Sequence, residues 1–315
     1  MTEILLAILS LVAGFVLLIK GADFFVDGSS SVAKRLRVSS MIIGLTIVAM
    51  GTSLPECAVS ITASLEGSNG LAVSNVTGSN IFNLMMVCGV CSLFMPITAQ
   101  KETLKKEYPF SIICTVLFAV LSFIGMAVGR IDGIVFIVIF IAYLLWMIYS
   151  AKKNPVTDDD DKIKILPVWK SILFILGGAV AVKFGGDFVV DNAVKVATIL
   201  GLSEKIISVT ILAIGTSLPE LVTSVSAAAK GKSDIAIGNI LGSNIFNMLL
   251  IIGTSAAIKP IVYNMSYNKD LIILLAGTLV LALFPVIPPK NKMSRMNGVV
   301  YVLMYAGYMA TLFFI

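Results

Sequence analysis

GTSLPECAVSITASLEGSNGLAVSNVTGSNIFNL, from Gly51 to Leu84, returns 164 residues later as GTSLPELVTSVSAAAKGKSDIAIGNILGSNIFNM, from Gly215 to Met248, with 17 of 34 positions identical. Internal self-similarity of this length marks a chain built from two copies of one unit. The register extends upstream: Gly21, Asp23, Asp27 and Ser39 recur as Gly185, Asp187, Asp191 and Ser203.

Both copies are set in unusually apolar sequence. Of the 315 residues 58% are hydrophobic and 13% charged, and the mean hydropathy is +1.00. A soluble domain of this size does not have that composition. Runs long enough to cross about 30 Å of hydrocarbon tile the chain. Ten spans are expected, at 3–33, 39–66, 71–96, 108–128, 131–150, 167–197, 204–229, 234–257, 270–288 and 298–315. The fold class is therefore an all-α membrane protein, with one five-helix repeat at 1–150, a linker at 151–166 and a second repeat at 167–315. Five is odd, so the second copy enters the bilayer from the opposite face. The spacing thus predicts two inverted repeats, a design used by secondary transporters.

The net charge of +5 distributes as an orientation signal rather than as a nucleic-acid footprint. Alternate loops hold sixteen Lys and Arg residues and the opposite loops five, with Lys20 and Lys183 inside spans. The positive-inside bias then puts both termini outside and the linker in the cytoplasm, in a plasma (cytoplasmic) membrane. The acidic start and the absence of a small-residue cleavage site argue against a cleaved signal peptide. The linker run Asp158 to Asp161 reads as a solvated loop. Cys57, Cys88, Cys91 and Cys114 lie in apolar segments, where they serve as small hydrophobes, and Cys88 with Cys91 lacks the context of a redox motif.

The chemistry sits inside the spans. Glu56 and Glu220 lie deep in apolar sequence where no side chain can snorkel to water. Each unpaired carboxylate there costs about 2.5–3.5 kcal/mol on insertion scales, a penalty that a bound cation removes. On a helix Thr52, Ser53, Glu56 and Ser60 share one face, and Thr216, Ser217, Glu220 and Ser224 repeat it. Pro55 and Pro219 cannot donate to the carbonyls of Gly51 and Gly215, so each helix is expected to break there. Carbonyls near Ala49, Gly51, Ala213 and Gly215 are then expected to come free, which lipid tolerates only where they line a cavity or bind an ion. Carbonyl, hydroxyl and carboxylate oxygens form the hard ligand set suited to Na+ and Ca2+. The sequence contains no histidine and no cysteine cluster at ligand spacing, which disfavours zinc, copper and iron.

On the following helix Asn75, Ser79 and Asn83 share a face, mirrored by Asn239, Ser243 and Asn247. Ser79, Asn83, Ser243 and Asn247 are assigned to the site; Asn75 and Asn239 to hydrogen bonding between helices. The bland reading of the glutamates is a structural carboxylate, protonated or paired with Lys20 or Lys183. Those lysines do not coincide under the 164-residue offset, which speaks against a symmetric structural pair. The roles of Asp23, Asp27, Asp187 and Asp191 stay open.

GTSLPE followed by GSNIFN, twice, resembles the paired alpha-repeats of the calcium/cation antiporter superfamily, above all its sodium/calcium exchangers of compact prokaryotic type. The resemblance covers both repeat cores. It implies that Glu56 and Glu220 ligate Ca2+ with Thr52, Thr216 and the carbonyls of Ala49 and Ala213. It further implies that Ser53, Ser217, Ser79 and Ser243 line flanking Na+ sites, that Asn83 and Asn247 close the centre, and that the first and sixth spans slide to alternate access. Potassium-dependent relatives carry an acid where this chain has Asn247, so K+ dependence is not implied. Large calcium-sensing domains are not implied either.

The expected function is Na+/Ca2+ antiport. Two carboxylates balance one Ca2+, or two to three Na+ with a net charge of zero to +1, whereas both loads together would be heavily overcharged in low dielectric. A Ca2+/H+ antiporter on the same fold remains open, since buried glutamates can titrate. A channel is disfavoured because one chain supplies a two-fold site, and a hydrolase because no histidine can activate Ser53 or Ser217. The expected partners are Ca2+, Na+ and the lipid bilayer, with no cofactor, no nucleic acid, no obligatory protein partner and no enzymatic activity.

Overall fold

The computed structural model describes residues 2–98, 105–125, 127–153, 165–207, 210–211, 213–262, 264–283 and 292–313. Asp158 to Asp161 and most of the linker lie outside the described residues.

In the first half, helix α1 runs over Thr2–Leu36, α2 over Ser40–Thr52, α3 over Leu54–Leu65, α4 over Asn69–Phe94, α5 over Glu107–Gly125 and α6 over Arg130–Lys153. In the second half, α7 spans Val168–Ile199, α8 Glu204–Ile207, α9 Ala213–Gly215, α10 Leu218–Ala229, α11 Ser233–Ile258, α12 Asn268–Leu283 and α13 Arg295–Phe313. Five of these, α1, α4, α6, α7 and α11, are by themselves long and apolar enough to cross a membrane, and α2 with α3 makes a sixth if the bent pair is one span. The other expected spans fall on α5, on α8 to α10, on α12 and on α13.

The proline expectation holds at Pro55 and Pro219. The chain bends by 51° between α2 and α3, at Ser53, whose φ of −87° and ψ of 10° lie outside the helical region. Ser217 takes nearly the same conformation before α10, with φ −96° and ψ 5°. Each proline then sits in the first turn of a fresh helix, where its missing N–H has no partner to lose.

Burial separates a centre from a lipid-facing shell. The spanning windows of α4 and α11 are 78% and 94% buried, against 22%, 28% and 28% for α1, α6 and α7. Leu5, Leu9, Val12 and Val16 on α1 and Phe184 and Phe188 on α7 are exposed accordingly. In an apolar solvent this is where such side chains belong, and packing between helices must come from close fit rather than from water exclusion.

The α1–α7 pair shows that fit. A Cβ on Gly21 would stand 2.8 Å from the Val182 nitrogen, and one on Gly185 would stand 2.5 Å from the Leu18 nitrogen. Only glycine permits such backbone contact.

The halves interlock. α6 of the first packs on the C-terminal part of α11, and α13 of the second on that of α4. Two short strand pairs repeat the exchange: β1 (Ile97–Thr98) pairs antiparallel with β4 (Lys292–Met293), and β2 (Ala127–Val128) with β3 (Ile261–Val262). In each pair one strand comes from each half.

Candidate cation site

The two broken helices meet at the centre of the molecule. Glu56 lies in the first turn of α3 and Glu220 in the first turn of α10, where the unpaired N–H groups of a helix start favour negative charge. Both side chains are fully buried.

Each glutamate is held by a serine of the opposite half. Ser53 Oγ donates to Glu220 Oε1 at 2.7 Å, and Ser217 Oγ lies 3.1 Å from Glu56 Oε1. Ser79 Oγ is 3.5 Å from Glu56 Oε1 and 3.0 Å from Ser217 Oγ. Among the described residues no lysine or arginine pairs with either carboxylate: Lys183 Nζ instead sits 2.5 Å from Asp187 Oδ2, on its own exposed helix face. The structural-pair reading with Lys20 or Lys183 therefore has no support in the geometry.

The remaining expected residues lie on α4 and α11, which pack against α3 and α10. Glu56 Oε2, Glu220 Oε2, Asn83 Oδ1, Asn247 Oδ1 and Ser243 Oγ are buried oxygens without a hydrogen-bond partner. Buried polar atoms are nearly always paired; these five oxygens from four helices, two of them carboxylate, form a donor set open to a ligand that accepts electron pairs. A hard cation is such a ligand.

Asn75 and Asn239 act as assigned, between helices. Asn75 Nδ2 donates to the Glu56 carbonyl at 3.2 Å and to Ser60 Oγ at 3.0 Å, and Asn239 Nδ2 to Glu220 O at 3.4 Å and Ser224 Oγ at 2.9 Å. Their carbonyl oxygens take the threonines of the other half, Thr52 Oγ1 at 3.0 Å on Asn239 and Thr216 Oγ1 at 3.5 Å on Asn75. Each hydroxyl has a single proton, which Thr216 directs to Asn75 and Thr52 shares between Asn239 and the Ala49 carbonyl, so lone pairs are left on both oxygens.

The freed carbonyls divide. Ser217 N–H turns to Ile214 O at 3.1 Å, so the Ala213 carbonyl loses its helical donor, as expected. The Ala49 carbonyl does not: it accepts from Ser53 N–H at 3.0 Å and from Thr52 Oγ1 at 3.3 Å. Pro55 removes the donor of Gly51, two residues past Ala49, and leaves the Ser53 N–H on Ala49 in place.

Two features escaped the residue patterns. A wide i→i+5 turn runs over Phe82–Val87 in α4 and Asn247–Ile251 in α11; such turns cluster at functional sites, and no side-chain periodicity announces them. Asn80 and Asn244 also join the network, although the GSNIFN repeat had displayed them twice.

A further asymmetry concerns access. α1 packs along α10, whereas α7 stands off α3 across a cleft of about 350 Å³ lined by Pro55, Val59, Lys183, Asp191 and Thr216. Pro219 is accordingly buried and Pro55 partly exposed.

A site of converging hard oxygens, set in discontinuous apolar helices, belongs to the class of membrane ion transporters. The sequence profile described as "Sodium/calcium exchanger protein" matches residues 6–149 and 170–314. The chain is 38% identical to a putative antiporter, CaxA, of Alkalimonas amylolytica, covering 98% of this chain and 99% of that one. It is 33% identical to the sodium/calcium exchanger MaX1 of Methanosarcina acetivorans, covering 98% of each. The structure is similar, with a TM-score of 0.85, 31% identity and coverage of 98% and 99%, to that of the sodium-calcium exchanger NCX_Mj soaked with zero Na+ and Ca2+. The chain belongs to the sodium/calcium exchanger protein family, as a compact member, and its business is cation exchange across a membrane.

Proposed function

We propose that the chain is a Na+/Ca2+ antiporter of ten spans arranged as two inverted five-helix repeats, 1–150 and 167–315, working by alternating access. The observation that carries it is the reciprocal hold of Ser53 on Glu220 and Ser217 on Glu56, which brings two carboxylates from opposite halves into one buried centre. Ca2+ is taken by Glu56 and Glu220 with Thr52, Thr216 and the freed Ala213 carbonyl; Na+ is taken beside Ser53, Ser217, Ser79 and Ser243, with Asn83 and Asn247 between. Hydroxyl and amide oxygens suit Na+, and two fixed charges admit either load but not both.

Alternating access draws support from the open cleft beside α7 and the closed seam beside α1. With both termini outside and the 151–166 linker in the cytoplasm of a plasma-membrane protein, the cleft faces outward and the seam closes the cytoplasmic path. Exchange then amounts to sliding the α1–α7 pair across the core.

The test is radioactive Ca2+ uptake into proteoliposomes under imposed Na+, K+ or H+ gradients. Uptake driven by Na+ alone at clamped pH, and lost in both Glu56→Gln and Glu220→Gln, is the expected result. Uptake driven by a pH gradient without Na+ establishes the Ca2+/H+ alternative, and near-normal flux in both variants refutes the site.

A further inference from the structure

Asn83 and Asn247 differ from the other oxygens of the centre in having two unlike ends. A primary amide offers a carbonyl oxygen on one side and two N–H donors on the other. Facing a cation, the first attracts and the second repels, so something must fix which end points inward.

The structure contains such a fixture. Asn247 Nδ2 donates to Asn80 Oδ1 at 2.9 Å, and Asn83 Nδ2 donates to Asn244 Oδ1 at 3.3 Å. Asn80 and Asn244 correspond under the 164-residue offset, as do Asn83 and Asn247, so each half orients the amide of the other. Asn80 is itself anchored, its Nδ2 donating to the Asn244 carbonyl at 3.3 Å. All four side chains are buried. The Nδ2 ends of Asn83 and Asn247 are thereby turned away, and their Oδ1 atoms are the ones left without a partner.

We propose that Asn80 and Asn244 are positioning residues that hold the Asn247 and Asn83 amides carbonyl-inward, so that neutral side chains serve as cation ligands where an acid would need no orientation. The inference rests on the reading of Asn83 and Asn247 as ligands in the proposed exchange site. A packing role alone predicts loss of folded protein or of maximal rate; an orienting role predicts loss of ion affinity that depends on the amide at 247.

The experiment follows from that dependence. Asn80→Leu preserves size and removes the acceptor; where it does not insert, Asn80→Ala serves. In proteoliposomes with an outward Na+ gradient, half-saturating Ca2+ is expected to rise at least tenfold with maximal rate changed far less. Asn247→Asp supplies oxygens at both ends, so in that background adding Asn80→Leu is expected to shift half-saturation less than twofold. An equal shift in both backgrounds, or an Asn80→Leu protein within twofold of the native value, overturns the proposal. Glu56→Gln is run in parallel: if it keeps Ca2+ flux, the exchange-site reading has failed and takes this inference with it. If it abolishes flux while Asn80→Leu is silent, the orienting role alone has failed.

Discussion

Lys232 Nζ stands 2.9 Å from Asp27 Oδ1, tying the end of α1 to the turn between α10 and α11. Lys230 Nζ adds Asp27 Oδ2 at 3.1 Å and Asp23 Oδ1 at 3.2 Å. The repeat offset carries Lys230 and Lys232 onto Glu66 and Ser68, and Asp23 and Asp27 onto Asp187 and Asp191. The mirrored contact would set acid against acid, so the tie exists on one side only, the side on which α1 is closed over α10.

Removing that tie is expected to loosen the closed side. Partly exposed ion pairs contribute about 0.2–1 kcal/mol each; three that share two lysines, taken at about 1–2 kcal/mol together, shift a two-state equilibrium by roughly 5- to 30-fold. In a cysteine-free background carrying Val222→Cys, packed beneath α1, Lys230→Gln with Lys232→Gln is expected to speed maleimide labelling about fivefold or more. Unchanged labelling shows that the tie does not hold the seam.

The serines beside the carboxylates are expected to matter through affinity. A hydrogen bond to a charged group is worth about 1.5–3 kcal/mol, so Ser53→Ala or Ser217→Ala is expected to raise half-saturating Na+ by about tenfold or more. Sodium titration of Ca2+ flux checks this; values within twofold of native count against a role for either hydroxyl.

Cation binding is expected to stabilise the folded protein. At a concentration 100 times the dissociation constant a ligand adds about 2.7 kcal/mol, so Ca2+ raises the melting temperature of the detergent-solubilised chain. Glu56→Gln and Glu220→Gln lose that rise, since each leaves one buried charge where two are needed. A Ca2+-dependent shift persisting in both variants places the binding elsewhere.

The α1–α7 seam is expected to reject even one methyl group. At Gly185 a Cβ would meet the Leu18 backbone, whereas at Gly177 it would meet nothing within 4 Å. Gly185→Ala is therefore expected to lower thermal stability and transport, and Gly177→Ala to leave both near native. Equal behaviour of the two variants in a thermal melt and a flux assay contradicts a close-packed seam.

By itself the sequence determined the membrane class, the two-copy construction, the break at Pro55 and Pro219, and the candidates Glu56 and Glu220. Each of these follows from local chemistry: apolar run length, repeated spelling, a missing N–H, and a carboxylate with no water to reach. The tertiary structure alone decided which half serves which. That Ser53 reaches Glu220 rather than Glu56, that Thr52 donates to Asn239, and that Asn80 turns the amide of Asn247 are contacts across more than 160 residues of chain. The wide turns at Asn83 and Asn247 and the one-sided tie of Asp27 to Lys232 belong with them. A linear pattern records which residues share a helix face, but the partner of that face is chosen by packing between helices, and two halves that carry the same motif spell both choices alike.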